Sequence, residues 1–157
     1  MCKICWTITA VLLITIAGMG YKFFIVGSVA PSGDGRQAIL LEPGERDLVL
    51  DEMRTFLQSV QAILQGVSED NMESVAVAAR KVGAAAQQAV PGSLMTKLPL
   101  AFKKLGFDTH GQFDRLGMDA EDIGDREHAL EQLSVLMQNC VACHASYRID
   151  AVAETRP

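Results

Sequence analysis

Residues 125–150 read DREHALEQLSVLMQNCVACHASYRID. Within this stretch Leu130, Leu133, Met137, Cys140, His144 and Tyr147 step by 3, 4, 3, 4 and 3. That is the spacing of a single stripe on an α-helix, so one long helix is expected from Asp125 to about Asp150. The Cys-Val-Ala-Cys-His string at 140–144 continues the stripe. Whatever those side chains hold is therefore expected inside a helical domain, not on a surface loop.

The chain upstream repeats the pattern. A first helix is expected from Glu45 to about Gly66, with Met53, Phe56, Leu57, Val60, Leu64 and Val67 on one stripe. A second starts at Ser68 as N-cap, with Glu69 and Asp70 in its first turn, and carries Met72, Val75, Ala79, Val82 and Ala86 as far as Pro91-Gly92. Residues 93–108 contain Pro99 and Gly106 and read as irregular, with a short helical turn at Leu100–Leu105. A third helix is expected from about Thr109 to Ala120, separated from the last by Gly124. Four amphipathic helices in residues 45–150 predict an all-α domain, an antiparallel up-down-up-down four-helix bundle. Residues 151–157 are left as a tail.

Ahead of the bundle lies a different kind of sequence. Ile4 to Tyr21 is eighteen residues without a charge, followed by Lys22 and the apolar Phe23–Val26. A spanning helix needs about 20 apolar residues, and a terminal lysine snorkels to the interface. Residues 1–30 are read as a membrane anchor. A cleaved export signal is the rival, since Ser28-Val29-Ala30 loosely fits a cleavage site, but Lys22 interrupts the run and Pro31 would follow the cut. Either way the helical domain is exported. Lys3 on the short side implies a single-pass inner-membrane protein with the domain in the periplasm. Residues 31–44 are punctuated by Pro31, Gly33, Gly35, Pro43 and Gly44 and read as a linker, with Ile39, Leu40 and Leu41 packing on the domain base.

All 19 acidic residues follow Ala30, against 12 basic ones, so that part carries −7. This argues against a nucleic-acid partner. It suits solubility or docking to a basic protein. No Ser/His/Asp set or phosphate loop is visible, so no enzyme is expected.

Four cysteines form two CxxC pairs, Cys2/Cys5 and Cys140/Cys143, and only the second is followed by histidine. The first pair opens the apolar run and reads as two thiols at a membrane edge. The second has the spacing of c-type haem attachment. Residues three and four apart share a helix face, so Cys140 and Cys143 can each form a thioether to a vinyl group at the haem edge while His144 sits under the iron. A redox-active CxxC normally begins a helix after a strand, and here the motif ends one. Zinc would need a fourth ligand from His110 or His128. One covalent haem c is the expected cofactor.

The string CVACHASYR on the last of four helices resembles the class II c-type cytochromes, the cytochrome c′ and cytochrome c556 group, over about residues 45–150. The resemblance implies a four-helix bundle with one haem c, Cys140 and Cys143 as attachment sites and His144 as proximal ligand. It also implies a basic residue near the haem four positions after the histidine, here Arg148. The anchor, the short third helix and the Leu98-Pro99-Leu100-Ala101-Phe102 segment depart from the family pattern.

The sixth ligand decides the behaviour. His144 lies about six residues before the end of the last helix and Met53 about eight into the first, so at about 1.5 Å per residue they are nearly level in such a bundle. Methionine opposite histidine gives a low-spin, electron-carrying haem. Met72, Met118 and Met137 fall at the wrong level or on the wrong helix, and Met95 is the competitor. If Met53 only packs, the iron is five-coordinate and binds nitric oxide or carbon monoxide, as cytochromes c′ do. His110 and His128 are read as exposed, and Arg54 and Arg148 as candidates for haem propionates. The expected protein is a monohaem cytochrome carrying electrons between respiratory-chain redox partners, with a homodimer as a candidate assembly.

Overall fold

The computed structural model describes residues 3–152; Cys2 and residues 153–157, most of the expected tail, lie outside it. Among the described residues the chain is mostly helical, with six α-helices and one small sheet. Helix α1 (Lys3–Gly20) continues into a π-helical turn at Tyr21–Val26. Together they make 24 residues that are long and apolar enough to cross a membrane, with none of the stretch buried against the rest of the chain. Lys22 does not break the helix, because its ammonium folds onto the Gly27 carbonyl oxygen at 2.8 Å, at the negative end of the helix dipole. Gly27 then turns the chain at φ 72°, passing so close to the Lys97 and Leu98 backbone that a Cβ would collide.

The expected linker is not structureless. It carries β1 (Val29–Pro31) and β2 (Gln37–Leu41), paired antiparallel with Val29 opposite Ile39. The third strand, β3 (Tyr147–Ala151), follows directly on the last helix and pairs parallel to β2, Ile39 facing Ile149. Residues 147–150 are therefore strand, not the end of a helix. Tyr147 fits both periods, three after His144 and two before Ile149, and β2 supplies an edge whose hydrogen bonds a helix could not use. Ile39 and Leu41 are fully buried, as expected of the domain base.

Helix α2 (Pro43–Ser68) matches expectation within two residues and opens on a capping box between Glu42 and Glu45. The second helix is shorter than the sequence suggests. Helix α3 runs Met72–Arg80, capped by Asn71, whose Oδ1 accepts from Ser74 N at 3.0 Å, while Ser68 belongs to the end of α2. It stops well before Pro91 because Gly83 passes directly over Asp114, whose carboxylate accepts from Ala84 N at 2.8 Å. A 3₁₀ segment (Ala84–Ala89) and helix α4 (Gly92–Lys97) lead to α5 (Leu100–Asp122). Here the expected irregular stretch is regular helix: Pro99 is the N-cap, where proline's missing N–H costs nothing, and Gly106 sits inside the helix. Helix α6 (Arg126–Ser146) begins on the Asp125 cap after Gly124.

Helices α2, α3, α5 and α6 share one core of Ile63, Val75, Phe113, Leu116, Leu133 and Leu136. Helices α3 and α5 pack where Gly117 lies against Ala76 and Ala79. A second core ties the sheet to the helices through Ile39, Leu41, Val49, Leu94 and Leu98. Helices α2 and α6 meet only sparsely.

Candidate functional site

The buried face of α6 is Ala129, Leu133, Leu136 and, half-buried, Cys140. At 100° per residue this lies about 50° around the helix from the stripe the sequence suggests. Met137, Leu130 and His144 are exposed instead. The flank of α6 facing α5 is marked by Asn139, bonded to Asp108 at 2.8 Å, and by Gln132, bonded to Asp119. Leu130, Met137 and Val141 lie on the opposite flank, Val141 being 68 % exposed.

Helix α2 shows the same offset. Glu52 and Phe56 mark its inward side, through contacts with His110 and Phe113 on α5. Leu57, 71 % exposed, and Leu64 lie on the flank turned away from α5. The two helices thus leave apolar side chains uncovered on either side of their sparse seam. Cys140 and His144 stand at the end of that seam, while Cys143, four after Asn139, lies toward the α5 side, so the three spread over about 100° of helix.

Both thiols are free and half-buried. Burial pushes Cys143 up to about 11, with the neighbouring Cys140 adding to it. Burial raises Cys140 as well. They stand near the C-terminal end of α6, where the helix dipole disfavours a thiolate. A disulfide-exchanging CxxC needs the opposite, a thiol lowered at a helix N-terminus. Among the described residues no three His, Cys, Asp or Glu side chains converge to hold a metal ion, which counts against a zinc cluster. A neutral thiol pair, an exposed imidazole without a protein hydrogen-bond partner among the described residues, and an uncovered apolar seam together fit a flat, apolar, covalently held macrocycle.

The remaining expected residues fall in various places. Met53 is half-buried against the sheet-side core, on which Tyr147 also packs. Met95 belongs to the same core but lines a cavity on the other flank of α2, which Met53 does not touch. Arg148 is engaged with Asp150 at 3.0 Å and Asp34 at 3.6 Å. Arg54 is an exposed partner of Asp51. His128 is half-exposed against Asp119 at 3.2 Å. His110, expected on the surface, is 4 % exposed: Nδ1 donates to the Val82 carbonyl at 2.7 Å, and Nε2 faces Glu52 at 3.4 Å.

The sequence reading gave no role to Arg36. Its Nη1 donates to the carbonyl oxygens of His144 (3.3 Å) and Tyr147 (3.4 Å), while its other nitrogens bind Asp34. Hydrogen bonds from Arg36 and Ser32 hold the Asp34 carboxyl far below the usual carboxylate range. Only the β2–β3 pairing brings Arg36 there, and no local signal announces it.

The chain matches no protein-family model, no curated protein and no solved structure.

Proposed function

We propose that this chain is a membrane-tethered, monohaem c-type cytochrome of the class II kind. Its domain would be an antiparallel up-down-up-down bundle of α2, α3, α5 and α6, held on the periplasmic face of the inner membrane by a single-pass α1. The observation that carries the reading is Cys140-Val-Ala-Cys143-His144 on one helix, both thiols half-buried, near apolar side chains left exposed among the described residues.

On this reading Cys140 and Cys143 hold the porphyrin edge through thioethers and His144 is the proximal ligand. Leu57, Val60, Met137 and Val141 would help to exclude water from the bound group. The bound haem would supply one-electron chemistry, tuned by its axial ligands and burial. The acidic domain would then exchange electrons with redox proteins of the respiratory chain. The chain's own part is to hold, orient and desolvate.

A second reading has one observation in its favour. Met53 is packed against the sheet-side core of Ile39, Leu41, Val49, Leu94 and Leu98. If it stays there, the protein leaves the sixth position open and is a binder of nitric oxide or carbon monoxide.

Acid-acetone extraction of the denatured, purified chain tests the main reading. Pigment that stays with the polypeptide supports thioether attachment. Pigment that is released, or a chain without iron, ends the proposal. The reduced visible spectrum with and without carbon monoxide then separates the two readings of the sixth position.

A further inference from the structure

On the α5-facing side of α2, away from the cysteine pair, lies a cavity of about 570 Å³. Leu48, Leu94, Phe102 and Phe107 give it apolar and aromatic walls, and Glu52 and His110 form a polar patch on one side. Lys103, Gly106, Phe107 and His110 share one face of α5, spaced by 3, 1 and 3.

The polar patch is chemically specific. A carbonyl only accepts, so His110 Nδ1, 2.7 Å from Val82 O, must carry a proton. Nε2 then meets the Glu52 carboxylate with either a lone pair or a second proton. Burial opposes the charged ring, but Glu52 and the backbone carbonyls of the Val82–Gly83 turn outweigh it and raise the His110 pKa. The couple therefore holds a proton against an apolar space. Among the described residues, the His110 ring is the only hydrogen-bond partner within reach of Glu52. Its carboxylate keeps open acceptor sites facing the cavity.

The cavity also adjoins the anchor. Lys103 on its wall donates to Phe24 O at 3.1 Å, and Ser28 N donates to Lys97 O at 2.6 Å. Both contacts tie the cavity's edge to the end of the Lys3–Val26 helix, where a molecule dissolved in lipid would arrive. Apolar cavities of this size with a few convergent polar groups are typical small-ligand sites.

We propose that this cavity binds the head group of a membrane-borne quinol, its ring between Phe102 and Phe107 and a hydroxyl donating to Glu52. The ring fills apolar space that acyl carbon could also fill, but only a hydroxyl uses the Glu52–His110 couple. The inference rests on the membrane reading of α1 and not on the cysteine motif.

The test is calorimetric titration of the full chain in detergent micelles with a decyl-benzoquinol, using decylbenzene as the hydroxyl-free control. Quinol binding is expected to be at least about tenfold tighter than decylbenzene and about tenfold weaker in Glu52→Gln, as for loss of a charge-assisted hydrogen bond. Because Glu52→Gln also disturbs His110, a second variant is needed. A Cβ added at Gly106 meets nothing within 4 Å and Gly106 lines the cavity, so Gly106→Trp places an indole in that space. It is expected to abolish quinol binding with the unfolding midpoint unchanged or raised. Equal affinity for decylbenzene, unchanged binding in Gly106→Trp, or no binding by the wild type would each overturn the proposal. Failure of the membrane reading is seen separately, as chain recovered in the soluble fraction of cells broken without detergent.

Discussion

Arg36 donates from Nη1 to the carbonyl oxygen of His144 at 3.3 Å, joining the turn just before β2 to the residue proposed to ligate iron. The same nitrogen reaches Tyr147 O at 3.4 Å, so one guanidinium satisfies two carbonyls where α6 ends and β3 begins. Arg36→Gln is expected to loosen this junction without melting the core. Amide exchange at residues 147–151 should accelerate, while that of α3 and α5 should not change. Arg36→Lys should behave like the glutamine variant, since a single ammonium cannot reproduce the fork that spans Asp34 and the two carbonyls. Uniform acceleration across the chain would refute this local role.

Met53 discriminates between the two readings of the iron site. If it ligates, the reduced wild type shows sharp low-spin bands and ignores carbon monoxide, and Met53→Ala shifts to high spin and binds the gas. Packing alone gives a different pattern: both proteins bind carbon monoxide, and Met53→Ala differs only in stability. Ligation is the expected outcome on the level match of Met53 with His144 in an up-down-up-down bundle, and it requires Met53 to leave the sheet-side core. A wild type that binds carbon monoxide as readily as the variant removes Met53 from the site.

The His110–Glu52 couple gives stability a pH dependence of definite sign. His110 is raised above its ordinary 6.5 in the folded chain. Below pH 6.5 the ring is charged in both folded and unfolded states, and its stabilisation is fully present. As pH rises through the folded value the proton leaves and that stabilisation is lost. The thermal midpoint should therefore fall on going from pH 6 toward 8, and His110→Gln should flatten that fall. A midpoint that rises over this range in the wild type alone contradicts the assignment.

Two glycines should respond oppositely to alanine. At Gly83 a Cβ would collide with the Asp114 carboxylate that accepts from Ala84 N. Gly83→Ala is expected to destabilise by about 1–3 kcal/mol, as overpacking does. Gly106 is inside α5 with nothing near its Cβ position. Gly106→Ala should stabilise by about 0.5–1 kcal/mol, the helix-propensity difference. Urea unfolding of both variants, followed by helical circular dichroism, gives the comparison.

Much of the helical frame was legible because its signals are local. Asp125 after Gly124 starts α6, and the spacing of α2 is strong enough to place its ends within two residues. What failed was rotation about the helix axis. Leucine and methionine outnumber the positions the core can take, so choosing the longest apolar stripe selected Leu57, Leu64 and Met137, while the core took Ile63, Leu136 and the small Ala129. Proline and glycine in 93–108 also misled, since Pro99 caps a helix as readily as it ends one. The sheet and the burial of His110 were invisible for another reason. Each depends on residues far apart in the chain, Ile39 with Ile149 and Val82 with His110, and nothing at one end signals the other.

That long reach also sets an order of events. Gln37 pairs with Tyr147, 110 positions later, so β2 must wait for almost the entire polypeptide before its parallel partner exists. Closing so wide a loop is slow relative to forming helices. Until β3 arrives, the Arg36 latch stays open and Cys140 and Cys143 sit on an unanchored helix end. The architecture thus leaves the helix end that carries the two sulfurs untethered until β3 docks.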